Sequence, residues 1–225
     1  MKTYLAATFL AGAFAVGGAW MITNPAGDAG QTQIPGAAFA QEADAAEVDT
    51  STVVEMVLGS PDAPVTIVEY ASYTCPHCAT FHANQFKQLQ ADYIDTGKVQ
   101  FIYREVYFDR FGLWASMVAR CGGEMRFFGI TEMLYAQQQD WIAGGDPVAI
   151  SENLRRIGRT AGMDDATLEA CLTDETLAQT LVAWFQENAA ADGVESTPTL
   201  IIDGVRHSNM AYDELAAIIE AALPE

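Results

Sequence analysis

An α/β unit interrupted by a block of helices is what the sequence predicts. Residues 65–70 (VTIVEY) form a nearly continuous apolar run, as in a buried central strand, and lead into C-x-x-C. Over 112–191 the apolar residues recur every three or four positions, the period of amphipathic helices. The β pattern returns at 199–202, and Asp203-Gly204 after it is a hairpin signal. Strands on both sides of a helical stretch imply one domain with a helical insertion, 53–111 and 192–225 being its two halves and 112–191 the inserted part.

Taken in order, residues 1–40 read as an export signal. Lys2 precedes an apolar stretch at 5–16, then a polar region with Pro35, then the small-x-small site Ala38-Phe39-Ala40, so that the mature chain begins at Gln41. An uncleaved anchor is the competing reading, because 4–22 is long enough to cross a bilayer, although its many Ala and Gly residues make it weakly hydrophobic and favour cleavage. Either way the body of the chain is expected outside the cytoplasm. Residues 41–52 form an acidic, Ala-rich lead-in expected to be disordered. A short strand follows at 53–58, a loop with Pro61 at 59–63 and the central strand at 65–70. Pro76 suits the first position of a helix running to about Tyr93, with Phe86, Leu89 and Tyr93 on one face, and 98–106 is the next strand. Within the insertion the apolar faces carry Trp114, Met117, Val118 and Cys121, then Ile150, Leu154 and Ile157, then Leu168, Cys171 and Leu172, then Leu177, Leu181 and Trp184. After the hairpin, Leu215, Ile218 and Ile219 mark a last helix.

Composition narrows the function. Of 225 residues 50% are hydrophobic, enough for one good core, and 11 Lys plus Arg against 30 Asp plus Glu give a formal charge of -19. Such a surface repels phosphate backbones and anionic headgroups, which argues against nucleic acid and membrane-surface partners. Four cysteines in an exported chain suggest disulfides, and their spacing separates a close pair from a distant one.

The close pair is "TCPHC", residues 74–78. At the end of a strand and the start of a helix, both sulfurs lie near the unpaired amides of the first turn, where the helix dipole favours a thiolate. Cys75 is expected at the exposed tip as the attacking and attacked sulfur, and Cys78 one turn further in as the resolving thiol. His77, when protonated, would add a cation beside the Cys75 thiolate. A metal-binding module using Cys75, Cys78 and a histidine is the rival from another class, but it needs four ligands and His82 is the only nearby extra candidate. An inert structural disulfide is the other alternative. Ser196-Thr197-Pro198, directly before a strand, occupies the place where a C-x-x-C redox fold presents a loop with a cis proline.

The segments "LGSPDAPVTIVEYASYTCPHC", "YIDTGKVQFIYREV", "RCGGEMRFFGI" and "STPTLIIDG" together resemble the thioredoxin-fold oxidoreductases of the DsbA type, the periplasmic disulfide-forming proteins. The resemblance runs from about Val57 to the C-terminus. It implies a thioredoxin fold with a helical insertion, Cys75 as nucleophile, His77 as the dipeptide residue stabilising the reduced form, Cys78 as the buried partner and Pro198 as the cis proline. Thr197 would offer backbone hydrogen bonds to an extended substrate peptide, and Glu69 would be the acid under the active site that relays a proton to Cys78. The alternative for Glu69 is a strand-end carboxylate in water, since burial is costly unless the group is paired.

The implied activity is that of a monomeric thiol:disulfide oxidoreductase, without cofactor, acting on reduced or unfolded exported proteins and regenerated by a quinone-linked membrane oxidase of the DsbB type. A reductase or isomerase is the rival among enzymes, but a DsbC-type isomerase would need an N-terminal dimerisation domain, for which only about a dozen residues stand between Gln41 and the first strand.

The second cysteine pair departs from many members of the family. Cys121 and Cys171 are read as a structural staple rather than as two buried free thiols. His82 falls on the apolar stripe of the first helix and reads as a core or edge histidine, and His207 as solvent-facing. Trp114, Trp141 and Trp184 read as packing residues, with Trp114 near enough to the C-x-x-C pair to report its state.

Overall fold

The computed structural model describes residues 48–224. The expected export signal and residues 41–47 of the lead-in lie outside that range. Residues 48–52, expected to be disordered, instead form a turn: Asp49 Oδ1 accepts from the Ser51 amide at 3.0 Å, and the Thr50 hydroxyl donates to Glu187 at 2.8 Å. Strand β1 is shorter than expected, Met56–Leu58, with residues 53–55 ahead of it outside the sheet ladder.

The sheet has five strands in the order β1-β3-β2-β4-β5, the others being β2 (Val65–Ala71), β3 (Val99–Glu105), β4 (Thr199–Ile202) and β5 (Val205–Ser208). β2 lies parallel to β3 and antiparallel to β4, so its backbone is paired along both edges, and Val65, Ile67 and 69–71 are buried. Gly59 closes β1 at φ +88°, and a Cβ there would stand 2.5 Å from the Val99 carbonyl oxygen, so only glycine fits. At the other edge Asp203 (φ 45°) and Gly204 (φ 82°) make the hairpin turn that the sequence signalled.

The helix that begins at Pro76 is not continuous. It runs as α1 (Pro76–Ala83) and α2 (Gln85–Leu89) and ends in a π-helical turn, Gln90–Ile94. At the break Asn84 is stretched from ideal helical angles (φ -116°, ψ -71°), and the Thr80 carbonyl accepts from both its backbone amide at 3.2 Å and its side-chain amide at 3.0 Å, a shared acceptor that periodicity alone does not reveal.

The helical block begins at Arg110 and ends at Ala191, two residues earlier at its start than expected, because Asp109 caps α3 (Arg110–Cys121) with bonds to the amides of Phe111 and Gly112. It continues through α4 (Glu124–Ala136), the single turn α5 (Gln138–Trp141), α6 (Pro147–Thr160), α7 (Asp165–Leu172) and α8 (Glu175–Ala191). Asp146, Asp164 and Asp174 cap the last three in the same way, so part of the acidic excess serves helix starts. Of the predicted apolar faces, Val118, Ile150, Leu154, Ile157 and Leu168 join β2 and β3 in one continuous cluster, to which α4 adds Phe127, Ile130 and Leu134, and Trp141, fully buried, donates its indole N–H to the Leu134 carbonyl at 2.8 Å. The chain closes with α9 (Tyr212–Ala222), which buries Leu215 and Ile219 while Ile218 remains half-buried.

A buried ion pair fastens the insertion to the sheet. Glu105 at the end of β3, 1% exposed, accepts from Arg120 of α3 at 2.7 and 2.6 Å and from the Ser116 hydroxyl at 2.8 Å, while Arg120 also donates to the Val54 carbonyl at 2.9 Å. Removing one member strands the other without water. Arg120→Met should therefore cost about 3–5 kcal/mol in urea unfolding. Cys121 and Cys171 stand as a bonded pair with Cα atoms 6.2 Å apart, joining α3 to α7 across a separation of 50 residues. We take this as the structural staple; the double variant Cys121→Ser/Cys171→Ser should lose about 4 kcal/mol, the closure entropy of such a loop, in the same assay.

Candidate active site

After β2 ends, the chain turns at Ser72, whose carbonyl accepts from the Cys75 amide at 3.0 Å. Cys75 is the N-cap of α1 in extended geometry, and Pro76 takes the first helical position, where a missing amide costs nothing. Both sulfurs thus sit at the head of α1, and the amides of His77 and Cys78 bond to Cys75. Cys78 is fully buried. Cys75, expected at an exposed tip, is only 8% exposed, because the 196–198 loop and the insertion close over it.

Two elements far away in sequence form that cover. The Thr197-Pro198 peptide bond is cis, as the sequence pattern anticipates, and the Thr197 carbonyl accepts from the Cys75 thiol at 3.6 Å. Gln138 of α5, 3% exposed, donates from one amide nitrogen to the carbonyls of Tyr73 at 2.8 Å and Cys75 at 2.9 Å. Tyr73 in turn bonds Thr131 of α4 at 2.8 Å, and the Thr74 hydroxyl bonds Asp109, the cap of α3, at 2.8 Å. Gln138, Tyr73 and Asp109 were missed by sequence reasoning. A lone Gln or Tyr carries no spacing signal, and only a glutamine falling where the helical period breaks could have hinted at its role.

The two thiols differ sharply. Cys75 is held at about 5, below its ordinary 9.0: chiefly the Cys78 thiol donates to its sulfur, burial works the other way, and two helix amides add further bonds. Cys78 is pushed far up by burial first, then by the bond it gives Cys75 and by the charges of Glu69 and Cys75. His77 is exposed on α1.

Glu69 does not face water. It is fully buried, and its Oε2 lies 2.8 Å from His82 Nε2, with Oε1 lacking a hydrogen-bond partner among the described residues. His82 is a core histidine, as the apolar stripe implied, packed against Tyr135 at 4.3 Å and Phe86 at 4.6 Å between ring centroids. The sequence placed Glu69 and His82 separately, and the structure joins them. His207 lies opposite Leu200 in the hairpin, half-buried rather than solvent-facing. Trp114 packs against Phe111 at 5.6 Å, and Trp184 lies beside Arg120 at 5.2 Å. Among the described residues no three His, Cys, Asp or Glu side chains converge as a metal centre requires.

Fold and site define a thioredoxin-fold protein whose C-x-x-C pair, at the head of a helix, faces a cis-proline loop across a helical insertion. A family model described as Thioredoxin matches residues 51–221. A putative protein-disulfide oxidoreductase of Rickettsia bellii is 34% identical over 172 residues, 76% of this chain and 65% of that relative; the chain spans less than two thirds of the length of the Rickettsia relatives it matches. Disulfide bond formation protein D of Bacillus subtilis is 30% identical over 191 residues, 80% of this chain and 82% of that protein. Among solved structures, alpha-DsbA1 of Wolbachia pipientis superposes with a TM-score of 0.68 at 26% identity, covering 75% of this chain and 90% of that one. Oxidised BdbD of Bacillus subtilis does so with 0.67 at 27% identity, covering 75% and 92%. The chain belongs to the thioredoxin family, among its DsbA-like members.

The shifted thiol gives the reduced protein a pH-dependent stability. Cys75 ionises at about 5 in the folded state against 9.0 in a free chain, so its contribution is complete above about pH 9, declines as pH falls and is gone below about 5. Cys78, shifted upward, opposes folding only above its ordinary 9.0, where an unfolded chain would ionise it. Reduced protein should therefore gain stability over the oxidised form as pH rises from about 5 toward about 9, measurable by melting both forms across that range, with Cys75 thiolate absorbance appearing near pH 5.

Proposed function

We propose that this chain is an exported thiol:disulfide oxidoreductase that passes a Cys75–Cys78 disulfide to reduced or unfolded proteins in the periplasm. The inequality of the two thiols carries the reading. A sulfur whose thiolate is held at about 5 is a good leaving group, and its partner one helical turn inside is a poor one until a proton reaches it.

In the forward direction a substrate thiolate attacks Cys75 Sγ and the bond to Cys78 breaks. Cys78 leaves with the electron pair and takes up a proton, with Glu69 as the acid placed to supply it. A second substrate thiolate then attacks the substrate sulfur of the mixed disulfide, and Cys75 departs as the stabilised thiolate. The substrate has lost two electrons and the C-x-x-C pair has gained them. Thr197 and Pro198 line the approach to Cys75, where the Thr197 backbone can pair with an extended peptide, as sheet-edge recognition requires. His77, exposed beside the pair, adds positive charge when protonated. Regeneration reverses the exchange against a quinone-linked membrane oxidase of the DsbB type. Among the described residues no helix is long and apolar enough to cross a membrane.

The deciding experiment is the equilibrium of the Cys75–Cys78 pair with glutathione. An oxidant is expected to give a potential near about -120 mV, whereas a value near about -270 mV would reverse the electron flow and make the protein a reductase.

A further inference from the structure

Glu69 cannot supply or accept a proton repeatedly unless it exchanges that proton with solvent, and it is fully buried. Its only hydrogen-bond partner among the described residues is His82, at 2.8 Å from Oε2. His82, in turn, forms part of the wall of a groove of about 230 Å³ between the first helices and α4, with Ala79 and Phe86 on its own side and Phe128, Thr131 and Tyr135 opposite. Glu69 lies below His82 on β2, and the groove lies beside it.

We propose that His82 is the positioning residue through which Glu69 exchanges the Cys78 proton with solvent, the proton passing by way of the α1–α4 groove rather than past Cys75. The proposal rests on the disulfide-exchange reading and extends it to a route and a residue. Closing a mixed disulfide on Cys75 requires Cys78 to lose its proton as its sulfur bonds to Cys75 and the partner leaves as a thiolate. Glu69 Oε1, without another partner, receives that proton directly or through one water, while Oε2 transmits the change to His82 Nε2. The imidazole suits the task because it accepts a proton at one nitrogen while the other faces elsewhere. The charge of Glu69 contributes to the raised Cys78 thiol, so a proton on the pair eases the return step as well.

The surroundings confine the exchange to this pair. From β3 and α4, Tyr103 and Tyr135 face Glu69, with their hydroxyls bonded to each other at 2.6 Å, and both phenols are raised well above their ordinary range, first by burial. Tyr73 beside them is raised for the same first reason. None of the three releases a proton at neutral pH. Lys87 and Glu132, also in the groove wall, stand 3.9 Å apart and are well exposed, in contact with water rather than with Glu69.

The test uses the full chain reduced, then mixed with oxidised glutathione over roughly pH 5 to 9, with acid quenching and mass spectrometry separating formation of the Cys75–glutathione adduct from its closure by Cys78. In H82A and H82Q, adduct formation should stay within about twofold of wild type while closure slows about tenfold or more. The H82A profile should keep rising with pH where wild type levels off. Added imidazole should restore closure in H82A, which opens a space on the groove, and not in H82Q, whose amide fills the site but carries no second proton. Melting by circular dichroism establishes folding, and H82Q decides alone where H82A fails to fold. Wild-type closure in folded H82Q, equal slowing of both steps, or no imidazole rescue of folded H82A would each overturn the proposal. Wild-type protein that reaches neither the adduct nor the oxidised Cys75–Cys78 form would instead overturn the disulfide-exchange reading, and the proton route with it.

Discussion

The hydrogen bond that the Cys78 thiol gives to the Cys75 sulfur is the interaction on which this site turns. It is the largest of the influences that hold Cys75 at about 5, and it also helps keep the Cys78 proton in place. A single proton between the sulfurs thus separates two residues of the same type into a ready leaving group and a reluctant one. The Cys75 carbonyl accepts the first helical bond from the Ala79 amide at 3.2 Å, and it and the Tyr73 carbonyl have room for a further donor. Gln138 satisfies both carbonyls, so the insertion is part of the machinery that aims the sulfurs and not a decoration on the sheet.

The same layout gives the two thiols different routes to solvent. Cys75 looks out beneath the Thr197 carbonyl, and Cys78 looks inward to a carboxylate surrounded by tyrosines. A buried carboxylate is tolerated only when paired, and His82 provides the pairing from the helix that carries both cysteines. The groups whose charge Cys78 feels thus lie on α1 and β2, on the inner side of the cysteine pair from the Thr197 loop.

Much of this was legible in the sequence, for physical reasons. The strand–C-x-x-C–helix junction, the Thr-Pro before a strand and the Asp-Gly turn are local patterns in which chain geometry dictates residue type, and the structure places each where its pattern put it. The helix faces of the insertion were legible because burial repeats with the helical period. Illegible were the contacts joining elements distant in sequence: Gln138 on the Cys75 loop, His82 on Glu69, Arg120 on Glu105. Each is a polar pair made by tertiary packing, and neither member announces its partner. The break at Asn84 was missed because an asparagine side chain can add a bond to a ladder carbonyl without disturbing the apolar period. The exposed Cys75 failed for a related reason, since its cover comes from 196–198 and α5.

Strand β2 has a further consequence, in the time order of folding. Its neighbour β3 follows after a short helical connection, but its other neighbour, β4, comes only after the whole helical block. A chain emerging from its N-terminus exposes Cys75 and Cys78 first, and Thr197 arrives near the end. Until then one edge of β2 is unpaired and the reactive sulfur lacks half its cover, with Cys121 already free nearby in the chain. The insertion that aims the finished site thus also delays its assembly, so each new molecule passes through a stage in which it is itself a reduced, incompletely folded thiol protein.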